Sequence, residues 1–309
     1  MVGWFGLPNA QPPNYPITSQ PNAMIAESEL ILNPDGSIYH LALRPDELGD
    51  TVITVGDPDR VDRISRHFDR VDVRRQKREF MAHTGEVGGR RVTVLSTGIG
   101  TDNIDIVFNE LDALVNVDFA TRTIRPDHRS LRVVRIGTSG ALQPDLPVGT
   151  LLATRHAVGL DTLMQFYPLL MTGEENLVVD ATQAALALEF RPYCVAGAAG
   201  LREKIVGTDG AVAEGNTLTC PGFYGPQGRT IRQRGRDGNL VQRFTDFRLG
   251  DFRFTNFEME TAGLYALGRL LGHEVLSLSA LVANRATGHF HPNPDAPVDA
   301  LIERTLAAL

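Results

Sequence analysis

From Ile38 onward the chain alternates short apolar runs with segments whose apolar residues recur at helical spacing. That alternation limits the fold more than any other feature, because strands separated by amphipathic helices build a sheet with helices on both faces. The strand expectations are Thr51 to Val55, Arg91 to Ser96, Leu131 to Ile136, Leu151 to Thr154 and Leu276 to Val282. Between the second and third of these, Ile104, Val107, Phe108, Leu111 and Val115 share one helical face behind Asp102, a residue suited to an N-cap. Another helix is expected to open near Glu258, carry Ala262, Leu264, Leu267 and Leu271, and stop at Gly272. The last helix is expected from about Pro297 to Leu309. Thr121 to Arg132 is polar and contains proline, which predicts an inserted loop. No repeat or shift of composition divides the rest, so residues 25–309 are expected to form a single α/β domain.

Composition narrows the function. With 42% hydrophobic and 22% charged residues the chain has the make-up of a soluble globular protein, and it holds no apolar run long enough to cross a bilayer. A formal charge of −7 argues against a nucleic-acid partner, so any bound anion needs a local cluster of cations. Cys194 and Cys220 are too few for a disulfide framework and have no C-x-x-C spacing, which suits a reducing, cytoplasmic setting. Residues 1–24 carry five prolines and neither Lys nor Arg; they are expected to be a poorly ordered tail, not a signal peptide, with Met24 as an alternative start.

In open α/β sheets ligands bind beyond the carboxyl ends of strands, so the residues found there carry the functional signal. After the first strand comes Gly56-Asp57-Pro58-Asp59-Arg60, which reads either as a tight turn or as a backbone brought close to an anion with an arginine behind it. Arg135 lies inside an apolar strand, where it needs a partner, and the glycine- and hydroxyl-rich turn Gly137-Thr138-Ser139-Gly140 follows it. The partner is either a structural carboxylate or a phosphate gripped by the guanidinium fork together with backbone amides and the Thr138 hydroxyl. The G-x-x-x-x-G-K-[ST] and G-x-S-x-G patterns are absent, and Gly98-Ile99-Gly100 lacks the third glycine of a dinucleotide fingerprint. His289 and His291 sit among Asn and Pro and read as a surface loop, so no metal is assigned.

Six separated motifs, in order, resemble the nucleoside phosphorylase superfamily and, within it, the uridine phosphorylase branch. They are Gly56-Asp57-Pro58-Asp59-Arg60, Lys77-Arg78-Glu79-Phe80, Ser96-Thr97-Gly98-Ile99-Gly100, Arg135-Ile136-Gly137-Thr138, the run Phe223-Tyr224-Gly225-Pro226-Gln227-Gly228-Arg229, and Asn256-Phe257-Glu258-Met259-Glu260. The resemblance runs from about His40 to the last helix, omitting the loop near Thr121 to Arg132. It implies a three-layer α/β domain with a central mixed sheet flanked by helices. The reaction implied is reversible phosphorolysis of uridine to uracil and ribose 1-phosphate, in pyrimidine salvage.

The resemblance also assigns residues. Phosphate would be held by Gly56, Arg60, Arg135 and Thr138, with Arg78 reaching in from a neighbouring subunit. Ribose would meet Met259, Glu260, Glu258 and Thr138, with His40 contributed across a dimer. The base would meet Phe223, Gln227, Arg229 and Arg285, and catalysis would rest on Arg60, Arg78, Arg135, Gln227 and Arg229. An amide and a guanidinium match in kind the N3 donor of uracil between its two carbonyl acceptors. Purine enzymes of this architecture carry an acid where this chain has Asn284. Relatives often have Gly-Pro-Ser where this chain has Thr101-Asp102-Asn103; in some members that segment and the residue matching Glu79 help hold a monovalent cation, and the departure argues against one here. No cofactor is implied beyond phosphate as co-substrate. The smallest active unit implied is a homodimer, with a hexamer of three dimers also open. The alternatives are a purine nucleoside phosphorylase or nucleosidase on the same scaffold, or a nucleoside-binding regulatory protein without turnover.

Overall fold

The computed structural model describes residues 23–309. The expected tail falls almost wholly outside them. The first half contains β1 (Thr51–Val55), α1 (Pro58–Ser65), β2 (Arg70–Lys77), β3 (Phe80–Val87), β4 (Arg90–Ser96) and α2 (Thr101–Asn116). A small pair, β5 (Val117–Asp118) and β6 (Thr123–Ile124), leads to β7 (Arg132–Ala141) and β8 (Leu151–Gly159). Next come α3 (Gly173–Leu186), β9 (Tyr193–Ala196), α4 (Ala199–Val206), β10 (Val212–Thr219) and α5 (Leu240–Asp246). The chain closes with β11 (Asn256–Glu258), α6 (Thr261–Leu271), β12 (Glu274–Asn284), β13 (His289–Phe290) and α7 (Asp295–Ala308).

All strands except β5 and β6 join one mixed sheet, with helices on both faces, as the alternation predicts. The five residues of β1 are all buried, the mark of a parallel strand covered on both sides. β1 pairs in parallel with β4 on one side and β7 on the other, and β12 lies parallel to the far edge of β7. In these strands successive side chains alternate faces. Val52, Val133 and Val275 therefore point to the layer holding α2 and α6, whereas Ile53, Val134 and Leu276 point to that of α1 and α7. β12 also pairs with β8, which continues through β10 and β11 back to β7, so five strands close into a ring.

Four expectations are corrected. Gly137 to Gly140 is not a turn: β7 runs on to Ala141 because β12 pairs along its whole length. Gly137 makes room instead, since a Cβ there would lie 1.9 Å from Nη1 of Arg135. Asp102 is inside the first turn of α2, whose N-cap is Gly100 at φ 97°. Glu258 ends β11, and α6 opens only at Thr261 before stopping at Gly272 with φ 74°. The 121–132 loop contains β6, paired with β5. Among the described residues no helix is long and apolar enough to cross a membrane.

Candidate active site

A cavity of about 780 Å³ opens at the carboxyl ends of β1 and β7, where β11 meets α6. Its residues arrive by local devices. The Asp57 carboxylate accepts from the Asp59 amide at 3.0 Å and caps α1, with Pro58 at the first helical position. That cap turns the chain sharply after Gly56 and sets Arg60 facing the cavity beside Arg135 and Thr138. Arg60 makes only a 3.4 Å contact with the Ile136 carbonyl and has no carboxylate partner among the described residues. Burial first, and then the neighbouring charge of Arg135, lowers its pKa below the ordinary arginine value. Two guanidinium groups held together at one end of a cavity form a site that an anion stabilises.

Arg135 is itself 5% exposed. Its Nη2 donates to Glu260 Oε2 at 2.5 Å and stands 3.4 Å from Glu258 Oε2. Burial opposes its charge, but the two carboxylates outweigh this and hold its pKa above the usual value. Its Nη1 has no hydrogen-bond partner. The carboxylate reading of Arg135 is thus realised at one edge of the guanidinium, while a donor at the other edge stays unused.

Glu258 and Glu260 line the cavity with Met259 but differ in what their oxygens do. Glu258 accepts from Thr219 Oγ1 at 2.7 Å and from the amides of Glu260 and Thr261 at 2.9 Å, anchoring the start of α6. Glu260 accepts from the Gly100 amide at 2.9 Å on one oxygen and from Arg135 on the other. Burial pushes its carboxyl up, with Arg135 pulling the other way.

Into the same cavity a short turn, Gly225–Gln227, presents Phe223, Gln227 and Arg229. The Arg229 guanidinium stacks 3.7 Å above the Phe223 ring, donates to the Phe223 carbonyl at 2.8 Å and also to Gln227 Oε1. Burial, then Arg285, lowers the pKa of Arg229. Arg285 does not line the cavity but sits behind this turn, donating to the Gln227 carbonyl at 3.1 Å. Asn284 is fully used by the fold: its amide nitrogen donates to the Gln143 and Leu146 carbonyls at 2.9 and 2.8 Å, and its oxygen accepts from the Ala286 and Thr287 amides.

His40 and Arg78 stand apart from their own cavity. Arg78 is exposed on the β2–β3 turn at φ 55°, and His40 Nδ1 lies 2.7 Å from Glu110 Oε1. The His40 and Phe80 rings are 6.2 Å apart, so His40 packs near the β2–β3 turn that carries Arg78. Lys77 ties the two together by donating to the Tyr39 carbonyl at 2.5 Å. Cavity residues that sequence reasoning did not select include Asn103, Phe257 and Phe290. Phe290 comes from an exposed two-residue strand with no pattern to announce it.

Outside the cavity, Asp112, His128 and His273 bring ligand-type atoms within 4.8 Å of one another. The Leu131 amide donates to His273 Nδ1 at 3.2 Å, which leaves the ring proton on Nε2, 3.3 Å from Asp112 Oδ1. His128 Nε2 is 2.9 Å from the Leu271 carbonyl. With Nδ1 accepting and the proton on Nε2, His273 has no ring lone pair to offer a metal, and Nε2 itself has only the ion-pair contact to Asp112.

A phosphorylase superfamily profile matches residues 50–307, nearly the whole of this architecture. The chain belongs to that superfamily. It is 31% identical to a uridine phosphorylase of Thermococcus kodakarensis over 256 residues, covering 83% of this chain and 80% of the relative. A uridine phosphorylase of Haemophilus influenzae is 28% identical over 271 residues, covering 87% and 92%. A purine nucleoside phosphorylase of Alkaliphilus metalliredigens is 25% identical, covering 81% and 88%. Among solved structures, a Trypanosoma brucei nucleoside phosphorylase described as showing uridine phosphorylase activity superposes with a TM-score of 0.83 at 29% identity, covering 91% of this chain and 99% of that one.

Proposed function

We infer that the chain is a uridine phosphorylase, a pentosyltransferase that converts uridine and phosphate reversibly to uracil and ribose 1-phosphate. The observation that carries this reading is the pairing of Arg60 and Arg135 beside Gly56 and Thr138 in a cavity also lined by Gln227 and Arg229. One cation pair suits an oxyanion nucleophile. The second polar set suits a small ring with alternating donors and acceptors. The relatives from Thermococcus, Haemophilus and Trypanosoma support the same choice.

In this reading phosphate lies against Arg60 and Arg135, with Thr138 and the Gly56 backbone completing its shell. As the glycosidic bond lengthens, positive charge grows on the ribose and negative charge on the departing uracil. The phosphate dianion compensates the first, and Gln227 with Arg229 compensates the second; losing one such placed donor costs about 3 kcal/mol of transition-state stabilisation. A phosphate oxygen bonds to C1′ as the bond to N1 breaks, so no covalent enzyme intermediate is required. Met259 and Glu260 hold the ribose, with Glu258 fixing the backbone between them. His40 and Arg78 act on the cavity of a neighbouring copy, making a cytoplasmic homodimer the working unit.

The test is uracil release from uridine with and without phosphate. Release that requires phosphate is expected, and equal rates in phosphate-free buffer would indicate a hydrolase. Comparable kcat/KM for inosine would favour the purine reading, because a site of buried polar groups rejects ligands that leave them unpaired.

A further inference from the structure

Five buried side-chain polar atoms among the described residues lack a hydrogen-bond partner: Thr54 Oγ1, Arg135 Nη1, Thr182 Oγ1, His273 Nε2 and Ser279 Oγ. Strand register brings three of them together. Thr54 on β1 is the cross-strand partner of Arg135 on β7. On the other side, Ser279 of β12 is the partner of Gly137, the residue over which Arg135 Nη1 lies. Partners in register project to the same face, and here that is the face toward α6. The row below it, Val52, Val133 and Val275, is wholly apolar, and the hydroxyl of Ser277 in the Arg135 row is already bonded to Thr261 Oγ1 at 2.8 Å. Two unpaired hydroxyls therefore flank a single arginine that itself carries an unpaired donor.

Hiding a hydroxyl from water without a partner is unfavourable, and both Thr54 and Ser279 are 0% exposed. Valine at the first position and alanine at the second would fill these sites without that cost. A threonine and a serine there are explained by use of their hydroxyls. We propose that Thr54 and Ser279 are positioning residues for Arg135, their hydroxyls accepting from Nη1 after a small rotation or through one bridging water. The two hydroxyls share one N–H of Nη1, directly or through that water, and the other N–H stays free for the anion. Glu260 holds the guanidinium from its Nη2 edge, and the hydroxyl pair holds it from the opposite edge. Without the pair, the remaining partners of Arg135 are Glu258 and Glu260, which draw it off the anion. Neither Thr54 nor Ser279 lines the cavity, so both act only through the arginine.

This inference rests on reading the Arg60 and Arg135 end as the phosphate site. Its test uses Thr54→Val, Ser279→Ala and the double variant, with KM for phosphate and for uridine measured separately beside Tm. The expected result for the double variant is a rise of about tenfold in KM for phosphate, as for a lost hydrogen bond to a charged group. KM for uridine should stay near the wild-type value and Tm should be unchanged or higher, while Thr54→Ser keeps wild-type behaviour. An unchanged KM for phosphate with a raised Tm would show two unused hydroxyls and overturn the proposal. So would a Thr54→Ser variant as impaired as Thr54→Val, which would mean packing, or a fall in Tm that accounts for the loss. Calorimetric titration of inorganic phosphate into the same proteins reads the positioning role directly. A wild type that binds phosphate but releases no uracil would refute the proposed reaction while leaving this test in force.

Discussion

Arg135 shows how much one position can depend on a neighbour two residues away. Its guanidinium folds back over Gly137, where even a methyl group would stand 1.9 Å from Nη1 and 2.5 Å from Cζ. The backbone at Gly137 has ordinary dihedrals, so the glycine is needed for space and not for conformation. Gly137→Ala is therefore expected to push Arg135 out of place and lower kcat/KM for phosphate on the order of 100-fold, as removal of a placed donor does. Arg135→Ala should cost a similar factor, and combining the two should add little, because both remove the same group. Steady-state kinetics with phosphate varied check this; a Gly137→Ala enzyme of normal rate would mean that the arginine does not work from the position seen.

At the scale of elements, α1 packs against β3 around a histidine that the cavity does not use. His83 is 1% exposed, with Nδ1 2.8 Å from Ser65 Oγ and Arg74 stacked against its ring. Burial, then Arg74, holds its pKa below the ordinary 6.5, with Asp62 opposing. The unfolded chain then takes up the proton first, so stability is complete above about pH 6.5 and is lost as pH falls below it. His156, depressed chiefly by burial, adds to the same slope. Denaturant midpoints measured from about pH 7 down to about pH 5 should fall, and His83→Gln should flatten part of the decline. An identical slope in the variant would assign the effect to other groups. Helix α6 carries a different lesson. An acidic run before a helix reads as a complement to the helix dipole, which is what Glu258 does, whereas Glu260 two residues on grips Arg135. Spacing alone could not divide those roles.

Over the whole molecule, the distance of His40 and Arg78 from their own cavity makes a concrete demand on assembly. If both complete a neighbour's site, a two-fold dimer is the smallest active unit, since an isologous interface completes two sites at once. Mixing Arg78→Ala with Arg135→Ala under conditions of subunit exchange should then restore activity. Each mixed dimer has one site with both lesions and one with neither, which gives about a quarter of normal activity for random pairing of equal amounts. No recovery despite proven exchange would place the whole site within one chain.

The alternation of apolar runs with helical faces is enough to specify a sheet with helices on both sides, its mixed strand directions being implied by the family resemblance, and β1 and the Gly272 stop fall where local pattern puts them. The arginines at strand ends are legible too, since Arg60 and Arg135 both line the cavity where ligands of open sheets bind. Local pattern has no view of partners distant in the chain. Arg135 meets Glu260 across 125 residues, and β12 closes the ring by pairing with both β7 and β8. The strand run through Gly137 to Gly140 reads as a turn because glycine and hydroxyls mark turns locally, whereas here Gly137 leaves room for Arg135. Sequence periodicity determines which face of an element is buried; only tertiary packing decides which polar groups on that face find one another, since each choice depends on strands brought together from remote parts of the chain.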